Sequence, residues 1–325
     1  MSDDRDRCKD VDSEPILAAD CARLQAHVGW RQINYAPSEP VAGLAEEGTT
    51  MSVSSKTATV VIAVAAISAS LWGMPTARAV VARTCFGLPA TIVGTNGPDV
   101  LLGTPGDDVI VGRGGDDVIG SIFNAGEGDD RICGGPGNDE LHGGLGADQL
   151  IGGLGEDQVG GGKGSDRQLG GPGDDFVLVE DIDDSRDLYY GGTGNDRVFG
   201  GTADDSLWGG AGDDQLFAGA GDDRVFGGEG FDLVSGSEGN DVLEGGPGEF
   251  LDTLSAGPGN DRVYAGPGID ELFLGGGADV AFGDGGDDLI HGIDGVAGND
   301  TLHGGVGRDT CEADAGDTLD RCELT

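Results

Sequence analysis

The sequence is short of three things that a folded chain of 325 residues ordinarily has: aromatic residues, basic residues and long apolar runs. Aromatics make up 5% of it, which excludes an interior built from large rings. Lysine and arginine number 18 against 60 aspartates and glutamates, a formal net charge of -42. Such a chain repels phosphates, so nucleic acid is excluded as a partner, and cations are called for instead. There are four histidines, His27, His142, His291 and His303, and no His-Glu-x-x-His pair. Nucleophile elbows and phosphate loops are missing too, so the chain reads as a non-enzyme. The one apolar run, Ala58 to about Met74, is shorter than the roughly 20 residues of a membrane span. Six cysteines without a Cys-x-x-Cys or a histidine cluster give no support to zinc.

What the sequence has in excess is glycine, 66 residues of it. High glycine with high charge would, as bare composition, suggest disorder. A fixed period overrides that reading. Gly143 to Val159 reads GGLGADQLIGGLGEDQV, nearly one nonapeptide written twice: Gly-Gly-x-Gly-x-Asp-x-apolar-x. The unit recurs in about 22 copies between Gly94 and Glu312. Insertions interrupt it at Ser121–Asn124, Val179–Tyr190, Phe250–Leu251 and Gly292–Asp294. Each place in the unit has a physical task. Glycines at the first, second and fourth places are expected to allow positive φ in a tight turn. The seventh to ninth residues form a very short strand whose eighth residue points inward. Two units make one flat coil, residue i lies over residue i+18, and successive coils pair as parallel strands.

That stacking brings the sixth-position aspartates within about 5 Å of one another, the spacing of paired strands. Two bare charges at that distance repel by about 0.8 kcal/mol in water and several-fold more at a protein surface. A continuous ladder of them needs a compensating cation. Carboxylates and backbone carbonyls form a hard, all-oxygen environment that suits Ca²⁺ better than Zn²⁺, copper or Mg²⁺.

With that repeat, the chain resembles the RTX (hemolysin-type) calcium-binding repeat family. The resemblance implies an all-β fold, a parallel β-roll or right-handed β-helix-like solenoid. It also implies many Ca²⁺ ions between coils, held by sixth-position aspartates and glycine-turn carbonyls. Carried onto this chain, the first group of carboxylates is Asp99, Asp108, Asp117, Asp130, Asp139, Asp148, Asp157, Asp166 and Asp175. The second is Asp196, Asp205, Asp214, Asp223, Asp232, Asp241, Asp252, Asp261, Asp270, Asp279, Asp288, Asp300 and Asp309. At the ends and beside insertions (Asp99, Asp252, Asp300, Asp309) a turn aspartate capping its own backbone is an equal reading. Gln168 and Ala281 depart from the inward apolar place, and Ala203 replaces the fourth glycine.

Outside the unit, several ninth-position residues are aromatic: Phe199, Trp208, Phe217, Phe226, Tyr264, Phe273 and Phe282. Those eighteen apart are expected to stack, either as a contact strip for a cell surface, carbohydrate or second copy, or as a ladder stiffening the sheet. His142, His291 and His303 share the ninth place and are read as outward strand residues. Val179–Tyr190 reads as an acidic surface loop.

Residues 1–50 share none of this pattern. Met51 to Ala79 has a basic start, an apolar run and an Ala-Arg-Ala end, the order of a secretory signal peptide. Met51 is therefore read as the start and 1–50 as an extension outside the native protein, the rival being a cytoplasmic segment before a signal anchor. Residues 80–93 are read as an N-terminal cap, 94–312 as the repeat domain and 313–325 as a C-terminal disulfide cap. A secreted chain keeps Cys85, Cys133, Cys311 and Cys322, an even set suited to disulfides. Three connectivities are open. Cys85–Cys133 with Cys311–Cys322 is favoured because each pair then closes one end. The expected protein is a secreted calcium-binding β-roll, with a calcium-dependent surface adhesin or matrix protein as the alternative.

Overall fold

A computed structural model describes residues 84–120, 127–178, 185–296 and 298–324. The proposed extension and signal peptide, residues 1–79, lie outside the described residues. Two parallel sheets of thirteen strands each run the length of the repeat region, and every crossover leads from one sheet to the other. Among the described residues there is no helix. The chain is a β-solenoid, two nonapeptides to the coil, as the period requires.

Register follows the sequence. Gln158 pairs with Glu140 and Phe176, its counterparts eighteen residues away on either side. Eighth-position side chains point between the sheets: Leu141, Leu150, Leu207 and Leu254 are buried, with Val and Ile in equivalent places. A file of small and aliphatic side chains from each sheet makes up most of the interior, with Tyr189 its one buried aromatic among the described residues, which is how so few aromatics suffice. Ala281 is also buried there. Gln168 is 1% exposed between Leu150 and Tyr189, and neither end of its amide has a hydrogen-bond partner among the described residues.

The first, second and fourth glycines were expected to share one role, and they do not. Gly153 and Gly155 have φ of 129° and 133°, the left-handed region that a β-carbon disfavours. Gly152, at the first place, has no such φ. It is glycine for space: a β-carbon there would sit 2.5 Å from Asp157 Oδ2.

Both ends continue the solenoid. Ile92–Val93 pairs with Ile110–Val111, while Thr318–Asp320 and Glu323–Leu324 add a strand to each sheet. Cys85 bonds Cys133 and Cys311 bonds Cys322, with Cα separations of 5.8 and 5.6 Å, the favoured connectivity. Of the Val179–Tyr190 segment, expected as an acidic surface loop, residues 179–184 lie outside the described residues, and its end is not loop. Its last residues are structural: Leu188, Tyr189 and Tyr190 pair with Arg167, Gln168 and Leu169 below and with Ser206, Leu207 and Trp208 above. Tyr189 takes the inward place and is fully buried. The nonapeptide ending at Tyr190 thus lacks every glycine yet keeps the strand.

Candidate metal centre

The sixth-position aspartates end each turn where the chain enters a strand, and the coils stack them into two ladders, one on each edge. One ladder runs Asp99, Asp117, Asp139, Asp157, Asp175, Asp196, Asp214, Asp232, Asp252, Asp270, Asp288, Asp309. Every step is a bond from the backbone N–H of one aspartate to Oδ1 of the next, 2.7–3.1 Å long. The other runs Asp108, Asp130, Asp148, Asp166, Asp187, Asp205, Asp223, Asp241, Asp261, Asp279, Asp300, with steps of 2.7–2.9 Å. All the aspartates assigned from sequence fall on these ladders. Apart from Asp99 at the open end they are buried, Asp196 completely. The sequence reading missed Asp187. Its signal was the run Asp-Leu-Tyr-Tyr, which matches Asp-x-apolar-x once the glycines are disregarded.

The ladder uses one carboxylate oxygen and leaves the other. Oδ2 of Asp148, Asp157, Asp175, Asp196, Asp214 and Asp232, among others, is buried and has no hydrogen-bond donor among the described residues. In these six the oxygen lies against the first glycine of its own repeat. The same glycine faces the carbonyl of the first residue one coil on. A β-carbon at Gly143 would meet Asp148 Oδ2 at 2.5 Å and Gly161 O at 2.4 Å; at Gly209 it would meet Asp214 Oδ2 at 2.4 Å and Gly227 O at 2.5 Å. Carboxylate and carbonyl oxygens converge there on a cradle that glycine leaves open; Ala218, Ala256, Ala265 and Leu274 hold the same place in the repeats of Asp223, Asp261, Asp270 and Asp279, whose Oδ2 atoms are likewise buried without a donor among the described residues.

The electrostatics follow from burial. The Asp148 carboxyl is pushed up to about 7 by burial first, with further repulsion from Asp130 and Asp129, against the lowering effect of the Asp130 N–H. Asp214 is pushed to about 8, again chiefly by burial and then by neighbouring aspartates. Buried carboxylates with a spare, donor-free oxygen call for a proton or a cation. The donor set is oxygen only, which fits Ca²⁺. The residues present therefore fit the ion that the repeat implies.

A second ladder, unforeseen from sequence, lies on the exposed side of each turn and runs the other way. Fifth-position Asp and Asn side chains accept the N–H of the fifth residue one coil later, as in Asp213 N to Asn195 Oδ1 (2.9 Å) and Asn260 N to Asn240 Oδ1 (2.9 Å). The abundance of Asp and Asn before the sixth-position aspartate was its signal.

The aromatic residues stack as expected. Phe199 on Phe217, Trp208 on Phe226 and Tyr264 on Phe282 have ring centroids 5.1–5.4 Å apart and planes within 18°. Tyr190 extends the Trp208 stack and His303 the Phe282 stack, while Phe273 stacks on His291. Within each stack ring faces are taken up by other rings and edges are turned outward; at the ends Phe217 meets Ser235 and Phe226 meets Glu244 across the sheet. His291 and His303 lie half-exposed on the outer surface, but His142 does not: it is 3% exposed and held by Glu140 at 3.0 Å.

These features define a parallel β-solenoid with oxygen-lined inter-coil sites on both edges. The sequence profile of the RTX calcium-binding nonapeptide repeat matches residues 91–120, 124–159, 134–168, 142–177, 190–225, 218–249, 251–272, 264–292 and 293–319. The chain belongs to that family, and calcium binding follows from its repeats. Comparison with curated proteins finds no match.

Proposed function

We propose that the protein is a secreted, non-enzymatic calcium-binding β-roll that folds as Ca²⁺ fills the gaps between its coils. The observation that carries this is the row of buried, donor-free Oδ2 atoms facing glycine carbonyls. The aspartates from Asp117 onward, Asp187 excepted, would hold the ions together with first-position carbonyls of the next coil. The ion would supply positive charge in the one place where the ladder has none. Export follows from the signal-peptide pattern at Met51–Ala79, and two disulfides suit an oxidising compartment. In this reading the chain stays unfolded in a cytoplasm low in calcium and folds outside it.

Far-UV circular dichroism of the chain during a calcium titration, with magnesium as control, tests the reading. A cooperative coil-to-β change with calcium, reversed by chelator, is expected. A chain that is already β-structured without calcium, or disordered with it, overturns it.

The second reading is a calcium-dependent adhesin or matrix protein. It rests on the half-exposed aromatic columns and on an apolar run along one turn edge, where Phe231, Phe250, Leu251 and Ile269 are exposed. Stacked rings present edges rather than faces, so this surface suits an apolar partner or a second copy better than a sugar ring. Sedimentation in calcium distinguishes the two: self-association lost in Phe231→Ser favours the adhesin.

A further inference from the structure

The ladders contain three steps at which a side-chain hydroxyl already occupies the spare carboxylate oxygen. At Asp108, the Thr104 hydroxyl donates to Oδ2 at 2.8 Å and the Thr104 N–H does so at 2.6 Å. Thr95 gives Asp99 the same pair of bonds. At Asp187, the Tyr189 hydroxyl lies 2.9 Å from Oδ2 and 2.8 Å from the carbonyl oxygen of Gly200. Gly200 opens the repeat one coil above, so its carbonyl is the counterpart of those facing Oδ2 elsewhere. The phenol oxygen therefore sits between the two groups that a cation would otherwise bridge.

The local sequence explains each case. Thr95 and Thr104 replace the second glycine of their repeats. Other non-glycine residues at that place, Arg113, Ser237 and Asp284, keep the turn by accepting φ of 95°, 81° and 63°. A β-branched residue pays more in that region, and neither threonine adopts it. The turn is rebuilt so that the threonine N–H and hydroxyl both reach the carboxylate. At Asp108 the Oδ2 moves with it: a β-carbon on Gly103 would lie 3.5 Å away, against 2.5 Å for Gly152 and Asp157, while at Asp99 the shift is small, 2.8 Å from Gly94. The Asp108 carboxyl is accordingly held below the ordinary range by the Thr104 and Thr91 hydrogen bonds, which outweigh the opposing effect of burial. At Asp187 the device differs. The repeat has no glycine turn, and a tyrosine in the inward place turns its hydroxyl to the edge of the core.

We infer that Thr95, Thr104 and Tyr189 stand in for cations, making Asp99, Asp108 and Asp187 calcium-independent steps in an otherwise calcium-dependent array. Two lie in the first coil, which the Cys85–Cys133 disulfide also secures. The third lies mid-array, where it divides the ions of its own edge into two blocks while the other edge runs on from Asp175 to Asp196. This rests on the calcium reading above and adds to it where the ions are not.

Ion counting by native mass spectrometry of the calcium-saturated full chain tests the assignment. Asn in place of Asp retains Oδ1 for the ladder bond and removes the carboxylate charge. Asp187→Asn and Asp108→Asn are expected to keep the wild-type number of ions, while Asp157→Asn and Asp214→Asn each lose at least one. Loss of as many ions in Asp187→Asn as in Asp157→Asn overturns the inference. A wild-type chain that binds no calcium instead overturns the calcium reading itself. Tyr189→Phe provides a second measurement should Asp187→Asn not fold. Removing the hydroxyl alone should raise the calcium concentration at the folding midpoint, with Tyr264→Phe, on the outer surface, unchanged. An unshifted midpoint in Tyr189→Phe counts against the inference.

Discussion

Stripping calcium from the chain and then lowering the pH should restore part of the structure that neutral solution denies it. Asp148, Asp196 and Asp232 are each held at about 7, and Asp214 at about 8, against an ordinary carboxyl near 3.8; burial is the leading cause at all four. Because the folded values are raised, the folded chain retains protons that the unfolded chain has released. Stability in the absence of calcium therefore falls as pH rises from about 4 to 7 or 8 and returns on acidification. Each group contributes about 1.36 kcal/mol per pH unit inside that window. Between pH 7 and pH 5 the four together amount to roughly 10 kcal/mol, or roughly 5 if water reaching the ladder halves the effect. That is comparable with the entire stability of a typical domain, about 5–15 kcal/mol.

The assay is circular dichroism of dialysed, calcium-stripped protein from pH 8 to pH 3.5. A β signal is expected to grow as pH falls, and to grow no further once unfolded carboxylates also protonate near pH 4. Acid also lowers the net charge, so a salt control is needed. At about 1 M salt the screening length is about 3 Å, which removes surface repulsion and leaves buried carboxylates charged. High salt at pH 8 should therefore fail to fold the chain where acid succeeds. Equal disorder at pH 5 and pH 8, or folding by salt alone, would refute the reasoning that buried carboxylate charge is what calcium offsets.

Two further predictions rest on single atoms. Gly152→Ala places a β-carbon 2.5 Å from Asp157 Oδ2 without changing any charge, in a coil not built around alanine as those of Ala218 and Ala256 are, so it should raise the calcium midpoint; an unchanged titration would show that Gly152 is not reserved for the carboxylate. Gln168→Leu removes a buried amide whose two ends lack partners and keeps the volume close, so it should stabilise the calcium-loaded chain by about 1–3 kcal/mol, read as a higher urea midpoint.

Much of the fold was legible because one rule is repeated. The position of each inward residue and the parallel pairing follow from the period alone. What stayed hidden are the places where two causes produce the same letter, or one cause is met by different letters. The first and fourth glycines look alike in sequence. Yet Gly155 serves a left-handed φ and Gly152 serves a carboxylate, and only the neighbouring coil distinguishes them. Thr104 was visible as a departure from Gly-Gly. Its consequence depended on whether the turn would strain, as at Arg113, or rebuild, and that is a balance of energies rather than a pattern. Asp187 was passed over because its repeat had lost the glycines by which repeats are found.

The insertions show why the ladder, rather than the nine-residue count, is the feature that defines this fold. Counting residues, the repeat breaks wherever the spacing between stacked aspartates rises from 18 to 20, 21 or 22. In space nothing breaks: Asp232 to Asp252, Asp166 to Asp187 and Asp108 to Asp130 are bonded at 2.9, 2.7 and 2.8 Å, as tightly as Asp148 to Asp166 at 2.8 Å. The strand that follows each insertion starts in register, as at Thr253–Pro258, which pairs with Leu233–Glu238 after Asp252. The fifth-position ladder reinforces this by running the opposite way, later coil donating to earlier, as from Asn138 to Asp116 across a spacing of 22. A slip of one residue would cost bonds on both ladders and turn the inward aliphatics outward at once. Register is therefore held at the turn-to-strand junctions, where the buried carboxylates lie. An ion at that junction would act on the same atoms that align the coils, which is how calcium binding and folding become one event.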